Sequence, residues 1–468
     1  MILLDTEEGA MKPLCFILTA CLVLGLSACG GSVAPPSSPI AAEPTGVSPT
    51  VTASPGPAPQ EIQPVLATPR AISPQACLLA DLLMGEGLWE LRRFAWSPTG
   101  DRLAYVGPAG PPDSSAGSLM LVAAPRFDTP QLIAPGAAGD PTWSPDGSRL
   151  AFVAFRADDQ VGTIIAVDVE TLALLDLLPG DMARTDPGAG YKAIDSWPAE
   201  RLLVMTNCGT GCRQPWYLDP RTSTMEPVFR FSQQGASYAW SPDRTAAVVT
   251  GGAAPQIGIV LGGEGEISWL SGHGTPDSAW TFFADWSPDA SRFLFLRQSG
   301  QAAELWEWNT RTGEGSPLLS GVIAARWSPH GDRIALVMLG QPRFTADGQW
   351  QDVTVTPQGP NPLWVGIYPY PDPEGNLMAL FEIGQVDWDY SALVETMQSR
   401  SLAPLWSPDG KNLLYHDGMG RMWVLSVDEL SRYEMPARGY AAEWSPDGKN
   451  LAVATSDRLQ IFAVPCSP

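Results

Sequence analysis

The chain has 468 residues, with 18 Trp, 46 Gly and 46 Pro. So many Pro and Gly exclude an architecture of long helices, and so many Trp exclude a disordered chain. A formal charge of −22 and only three His (His273, His330, His416) argue against a nucleic-acid partner and against a His-based metal site.

The amino end reads as an address. Residues 14–26, LCFILTACLVLGL, form an apolar stretch of signal-core length, too short to span a bilayer comfortably. Leu26-Ser27-Ala28-Cys29 follows, and it resembles the bacterial lipoprotein signal, in which the Cys thiol is lipidated. Asp5, Glu7 and Glu8 precede the core where positive charge belongs, so Met11, followed by Lys12, is expected to be the true start. The expected divisions are a signal over 1–28, a lipidated Cys29 with a Pro-rich disordered linker over 29–75, and a folded region over 76–468. Residues 30–75 hold 11 Pro and no aromatic residue, so they cannot build a core. Gly30 after the lipid Cys favours the outer membrane in a two-membrane bacterium; in a one-membrane bacterium the protein stays on the outer face of the cytoplasmic membrane.

Cysteine usage fits export. Cys15 and Cys21 leave with the signal and Cys29 carries lipid. Cys77, Cys208, Cys212 and Cys466 then remain as an even set of disulfide candidates, the first and last lying at opposite ends of the folded region.

From residue 94 onward one motif recurs. WSP followed by D, H or T opens a copy at Trp96, Trp143, Trp240, Trp286, Trp327, Trp406 and Trp444, and Trp197 opens the shortened WPAE. In this motif Trp ends a strand, and Ser-Pro-Asp-Gly makes a reverse turn: Pro sets φ, Asp bonds local backbone, and Gly takes the left-handed region. A near-continuous apolar strand follows, such as 149–153, so both its faces are expected to be buried. Further short strands in most copies give four per repeat, the signature of a propeller blade.

The repeat resembles the TolB-like, WD-repeat-like β-propeller family over roughly residues 86–468. The resemblance implies an all-β propeller of four-stranded antiparallel blades. Counting Trp197 gives eight blades, with seven as the alternative. The last copy is one strand short, and the segment at Cys77–Met84 or Leu88–Arg92 is the expected donor. Such pairing would close the ring and bring Cys77 near Cys466.

The segment between Trp327 and Trp406 is too long for one blade. Its residues 340–400 concentrate Trp350, Trp364, Tyr368, Tyr370, Trp388 and Tyr390 among acids, and Tyr390, Leu393, Val394 and Met397 have helical spacing. No Gly-x-Ser-x-Gly elbow, His-Glu-x-x-His or Walker loop is present. The turn residues Asp146, Asp243, Asp289, Asp409 and Asp447 read as turn caps rather than calcium ligands. The default binding site is the channel mouth, for which the charged residues Arg93, Asp140, Asp195, Asp285, Arg326 and Glu443 on the inner strands are candidates. The expectation is a membrane-anchored, extracytoplasmic, non-enzymatic platform for a protein or peptide partner, with no cofactor, no metal and no nucleic acid. The alternative is a hydrolase or lyase acting on glycan or peptide at the channel mouth.

Overall fold

In a computed structural model the described residues are 68–69, 77–84 and, with short interruptions, 93–464. The signal, Met11, Cys29, Leu88–Arg92, Cys466 and the side chains of Cys208 and Cys212 lie outside them. The described chain is all strand and turn apart from the helical Met397.

Each motif Trp closes, or directly follows, the first strand of a four-stranded antiparallel unit. The Trp286 unit is the plainest, with Trp280–Trp286, Arg292–Ser299, Ala302–Asn309 and Glu314–Ser320 paired in chain order. The second strand of each unit is buried almost throughout, because neighbouring units cover both its faces. Arg333–Leu339, for example, is buried from Ile334 to Leu339. The turn between first and second strands is the Ser-Pro-Asp-Gly motif itself. In the Trp143 unit the Ser144 N–H donates to Arg149 O, the Gly147 N–H donates to Ser144 O, and the Ser144 hydroxyl accepts the Arg149 N–H at 2.9 Å. Gly147, Gly331, Gly410 and Gly448 have φ near +70°, and Arg244 and Ala290 are forced into the same region at the equivalent place.

Among the described residues there are six blades, not the expected eight or seven, with one two-stranded hairpin besides. The physical reason is fusion of neighbours. Strand Gln131–Trp143 pairs through its first half with Gly117–Ala123 and through its second half with Arg149–Ala154, so the Trp96 and Trp143 units share one sheet. Arg213 pairs with Gly235 and joins the Trp197 and Trp240 units in the same way.

The ends meet as expected. Leu78–Leu83 pairs antiparallel with Arg458–Ala463 and completes the Trp444 unit, with Leu82 opposite Leu459. Ala80, Leu82 and Met84 then pack in one apolar cluster with Phe94 and Trp96 of the first unit and Leu459 and Ile461 of the last. Similar clusters occupy each of the other junctions around the circuit. Cys77 is buried, and its carbonyl accepts the Ala463 N–H. The linker differs from expectation at its far end: Thr68 and Pro69 pair in parallel with Ser431 and Arg432, adding a fifth strand to the Trp406 unit.

The long segment before Trp406 resolves into two parts. Gly359–Pro369 and Ala379–Trp388 are the third and fourth strands of the Trp327 unit, made long. The true insertion is the hairpin Gln341–Phe344 with Trp350–Thr354. Trp364, Tyr368 and Met397 are buried in the core. Trp364 and Tyr368 are thus blade-core residues, while Trp350 and Tyr370 are only partly buried. Tyr390, Leu393 and Val394 lie outside the described residues.

Candidate functional site

The motif Trp residues set the frame in which the candidate charges sit. The Trp143 indole N–H donates to Ala95 O at 3.0 Å, Trp286 to Ala239 O at 2.8 Å, Trp406 to Arg326 O at 3.2 Å and Trp444 to Leu405 O at 3.1 Å. In every case the acceptor immediately precedes the Trp of the neighbouring unit. The Trp96 indole donates to Glu443 O at 3.1 Å by the same rule, which carries the pattern from the first unit to the last. The sequence marks these Trp as core; the shared hydrogen bond is visible only once the units are stacked.

Two of the six candidate charges, Asp140 and Asp285, cap backbone across these junctions with their carboxylates. Asp140 Oδ1 accepts the Arg93 N–H at 2.8 Å, and Arg93, itself buried, has φ +57°. Asp285 Oδ2 accepts the Trp327 N–H at 2.9 Å. Arg326 and Glu443 offer their carbonyls to indoles, as above. A carboxylate that caps a backbone N–H across a junction is doing what an inner-strand hydrogen bond would do. Asp195 differs. Its side chain keeps 31% exposure and lies 3.8 Å from the Arg244 guanidinium. Protein packed around it pushes its carboxyl above the usual range, against the pull of the Ser196 hydroxyl and Arg244.

The turn aspartates behave as caps. The Ser144, Ser241, Ser287, Ser407 and Ser445 hydroxyls donate to Asp146, Asp243, Asp289, Asp409 and Asp447 at 2.6 to 2.7 Å. These bonds, with those from Ser148, hold Asp146 down at about 2. Asp243 and Asp289 are also lowered, the Ser hydroxyl being the main cause. The part of the motif Ser was not legible in sequence: its buried hydroxyl serves both the turn Asp and the following strand. Among the described residues no group of three or more His, Cys, Asp or Glu is placed to hold a metal ion. His330 is exposed with its ring 3.2 Å from Asp409 O, His416 is held below its usual range by burial, and His273 is outside the described residues. No described helix is long and apolar enough to cross a membrane.

One junction breaks the repeat. The Trp197 turn, Pro198-Ala199-Glu200, is two residues shorter than its neighbour's. Elsewhere the turn Gly packs on the preceding unit's turn; a Cβ on Gly147 would lie 3.6 Å from Pro98, and one on Gly331 3.6 Å from Pro288. The short Trp197 turn leaves instead a cleft of about 360 Å³ beside Ser144–Ser148 of the preceding unit. Trp197 lines it, and so do Arg149 and Arg221, the latter 2.6 Å from Glu200.

Comparison with known proteins places the chain by architecture only. No protein-family model matches it, and no curated protein matches it by sequence. Several solved structures resemble it, each at a TM-score below 0.5. An oligogalacturonate lyase from Vibrio parahaemolyticus is 9% identical, covering 86% of this chain and 96% of its own, with a TM-score of 0.46. The C-terminal WD40 domain of Sif2 is 15% identical over 82% of this chain and 99% of its own, at 0.45. TolB from Acinetobacter baumannii is 14% identical over 78% of this chain and 65% of its own, at 0.31. The chain is a β-propeller of four-stranded antiparallel blades, to which TolB and WD40 propellers are similar in fold.

Proposed function

We propose that this protein is a lipid-anchored, extracytoplasmic platform whose propeller binds a protein or peptide partner without catalysing a reaction. The observation that carries the reading is the end-to-end closure, in which Leu78–Leu83 completes the last unit and Trp96 bonds Glu443 O. A ring locked in this way holds its loops in fixed relation, which lowers the ordering cost of binding an extended partner. Cys29 supplies the anchor, and the residues up to Thr68 supply the reach. Cys466 is the partner of Cys77: it lies three residues beyond Ala463, whose N–H meets the Cys77 carbonyl. Of the inner-strand charges, Asp195 with Arg244 is the pair best placed to meet a ligand, because it keeps solvent contact.

The test is photo-crosslinking of the full chain in its native membrane. The expected result is one recurrent protein adduct, retained by the propeller and absent when Asp195 and Arg244 are both changed to Ala. Turnover of glycan or peptide by the purified chain, with no recurrent adduct, would overturn the reading. Deleting residues 340–400 is not a usable control, because that span supplies two blade strands. Removing only the hairpin 341–354 avoids this.

A further inference from the structure

The amino-terminal segment meets the propeller before the ring-closing strand begins. Thr68 and Pro69 run parallel to Ser431 and Arg432 and add a fifth strand to the Trp406 unit. Leu78–Leu83, ten residues further on, completes the neighbouring Trp444 unit. Among the described residues no other unit carries a fifth strand.

The receiving strand, Ser431–Glu434, is held in shape by its own unit. Arg432 Nη1 donates to the Tyr415 hydroxyl at 3.2 Å, and its guanidinium lies 5.0 Å over the Trp423 ring. The Ser431 hydroxyl donates to Glu429 at 3.1 Å, and Tyr433 is buried. One backbone edge pairs with Met422–Ser426. The other backbone edge is what the strand offers outward. A strand already fixed in this way asks only the incoming segment to be ordered. Left uncovered, it invites pairing with other chains.

The incoming segment suits such an edge. Proline has no N–H to give, and within sheets it is confined to outermost strands and bulges. A ladder of two residues is too short to hold a separate chain. Here only seven residues, 70–76, separate the dipeptide from Cys77, so pairing is intramolecular, at an effective concentration in the millimolar range.

We propose that the outer edge of Ser431–Glu434 is the docking site of the chain's own linker, which leaves the propeller there and not at Cys77. The free tether is then residues 29–67, and the pull of an anchor is applied to the Trp406 unit. That last step rests on the anchored reading; the docking itself does not.

Arg70 directly follows the dipeptide and is the only Lys or Arg between Lys12 and Arg92. Trypsin must take Thr68 and Pro69 into its own cleft to cut after Arg70, so docking and cutting compete. The test times that cut by mass spectrometry in the full chain and in a synthetic peptide of residues 63–75. The chain is expected to be cut about tenfold more slowly than the peptide, the scale of one net hydrogen bond. Thr68→Pro removes the only N–H of the dipeptide. It should bring the chain to the rate of its own peptide and raise hydrogen exchange over 431–434, with the outer strand Glu314–Ser320 unchanged. Equal rates for the wild-type chain and peptide overturn the docking. Slow cutting that Thr68→Pro leaves slow, or relieves with no change in exchange over 431–434, overturns this edge as the site. Docking that persists in a chain with an unmodified Cys29 keeps the site and overturns the anchor alone. Docking that fails while the native-membrane adduct survives leaves the platform standing without it.

Discussion

Leu82 and Leu83 are adjacent in the strand that closes the propeller, yet they face opposite ways. Leu82 is 6% exposed and Leu83 55%. Leu82 packs among Phe94, Trp96, Leu103, Leu459 and Ile461, which belong to the first and last units. Truncating it to Ala removes buried methyl groups and leaves a cavity where two units join, at a cost of about 3 kcal/mol for a Leu in such a setting. Leu83→Ala removes mostly solvated surface, and its cost should stay within about 0.5 kcal/mol. Urea unfolding followed by Trp fluorescence reads both. The Leu82 variant should show a clearly lower midpoint and the Leu83 variant the wild-type one. In an open array a weakened terminal strand frays locally. In a closed ring the loss reaches both ends of the chain at once, so the main transition should move. Equal effects from the two substitutions, or a larger one from Leu83, would refute the register of this strand and with it the closure.

Other expectations follow from the same contacts. Trp143→Phe gives up the bond to Ala95 O and leaves that carbonyl unpaired, so it should cost about 1 to 3 kcal/mol in the same assay. Ala290 sits at φ +58°, where a Gly is relaxed; Ala290→Gly should stabilise by up to about 1 kcal/mol once the added freedom of the unfolded chain is deducted. Gly147→Ala should do the reverse by a similar amount, because its Cβ would merely touch Pro98 and the cost is in the backbone. The turn aspartates fix an acid limit. Asp146, Asp243 and Asp289 titrate lower folded than unfolded, so their stabilisation is complete above about pH 4 and is lost as the pH falls, toward about 2 for Asp146. Urea midpoints should fall over that window, and Asp146→Asn should make the fall shallower.

How much of this was legible in sequence depends on which residues carried the information. The Trp-Ser-Pro-Asp-Gly motif is local, so strand, turn and strand could be read from it directly. Closure could also be read, because the Trp444 unit runs out of chain before its fourth strand and Leu78–Leu83 has no motif of its own. Fusion of sheets could not, because it depends on Gln131–Trp143 crossing from one unit to the next without a break. The aromatics at 340–400 misled for a related reason. Composition cannot separate a surface loop from a lengthened blade strand, and Trp364 and Tyr368 belong to the strand. Of the inner-strand charges, Asp140 and Asp285 cap neighbouring backbone, a role that depends on how the units stack and not on local sequence. The cleft had one sequence signal, the missing Ser and Gly at Trp197, which reads as degeneracy until the neighbouring turns are seen packed against each other.

An anchored platform requires this ring of blades to be held at the membrane by Cys29. Intact-mass measurement of the amino-terminal peptide from membrane-extracted protein decides it. An anchored propeller gives a peptide beginning at Cys29 with the mass of a lipid-modified cysteine. A peptide that begins elsewhere, or one with an unmodified Cys29 thiol, would contradict the anchored platform.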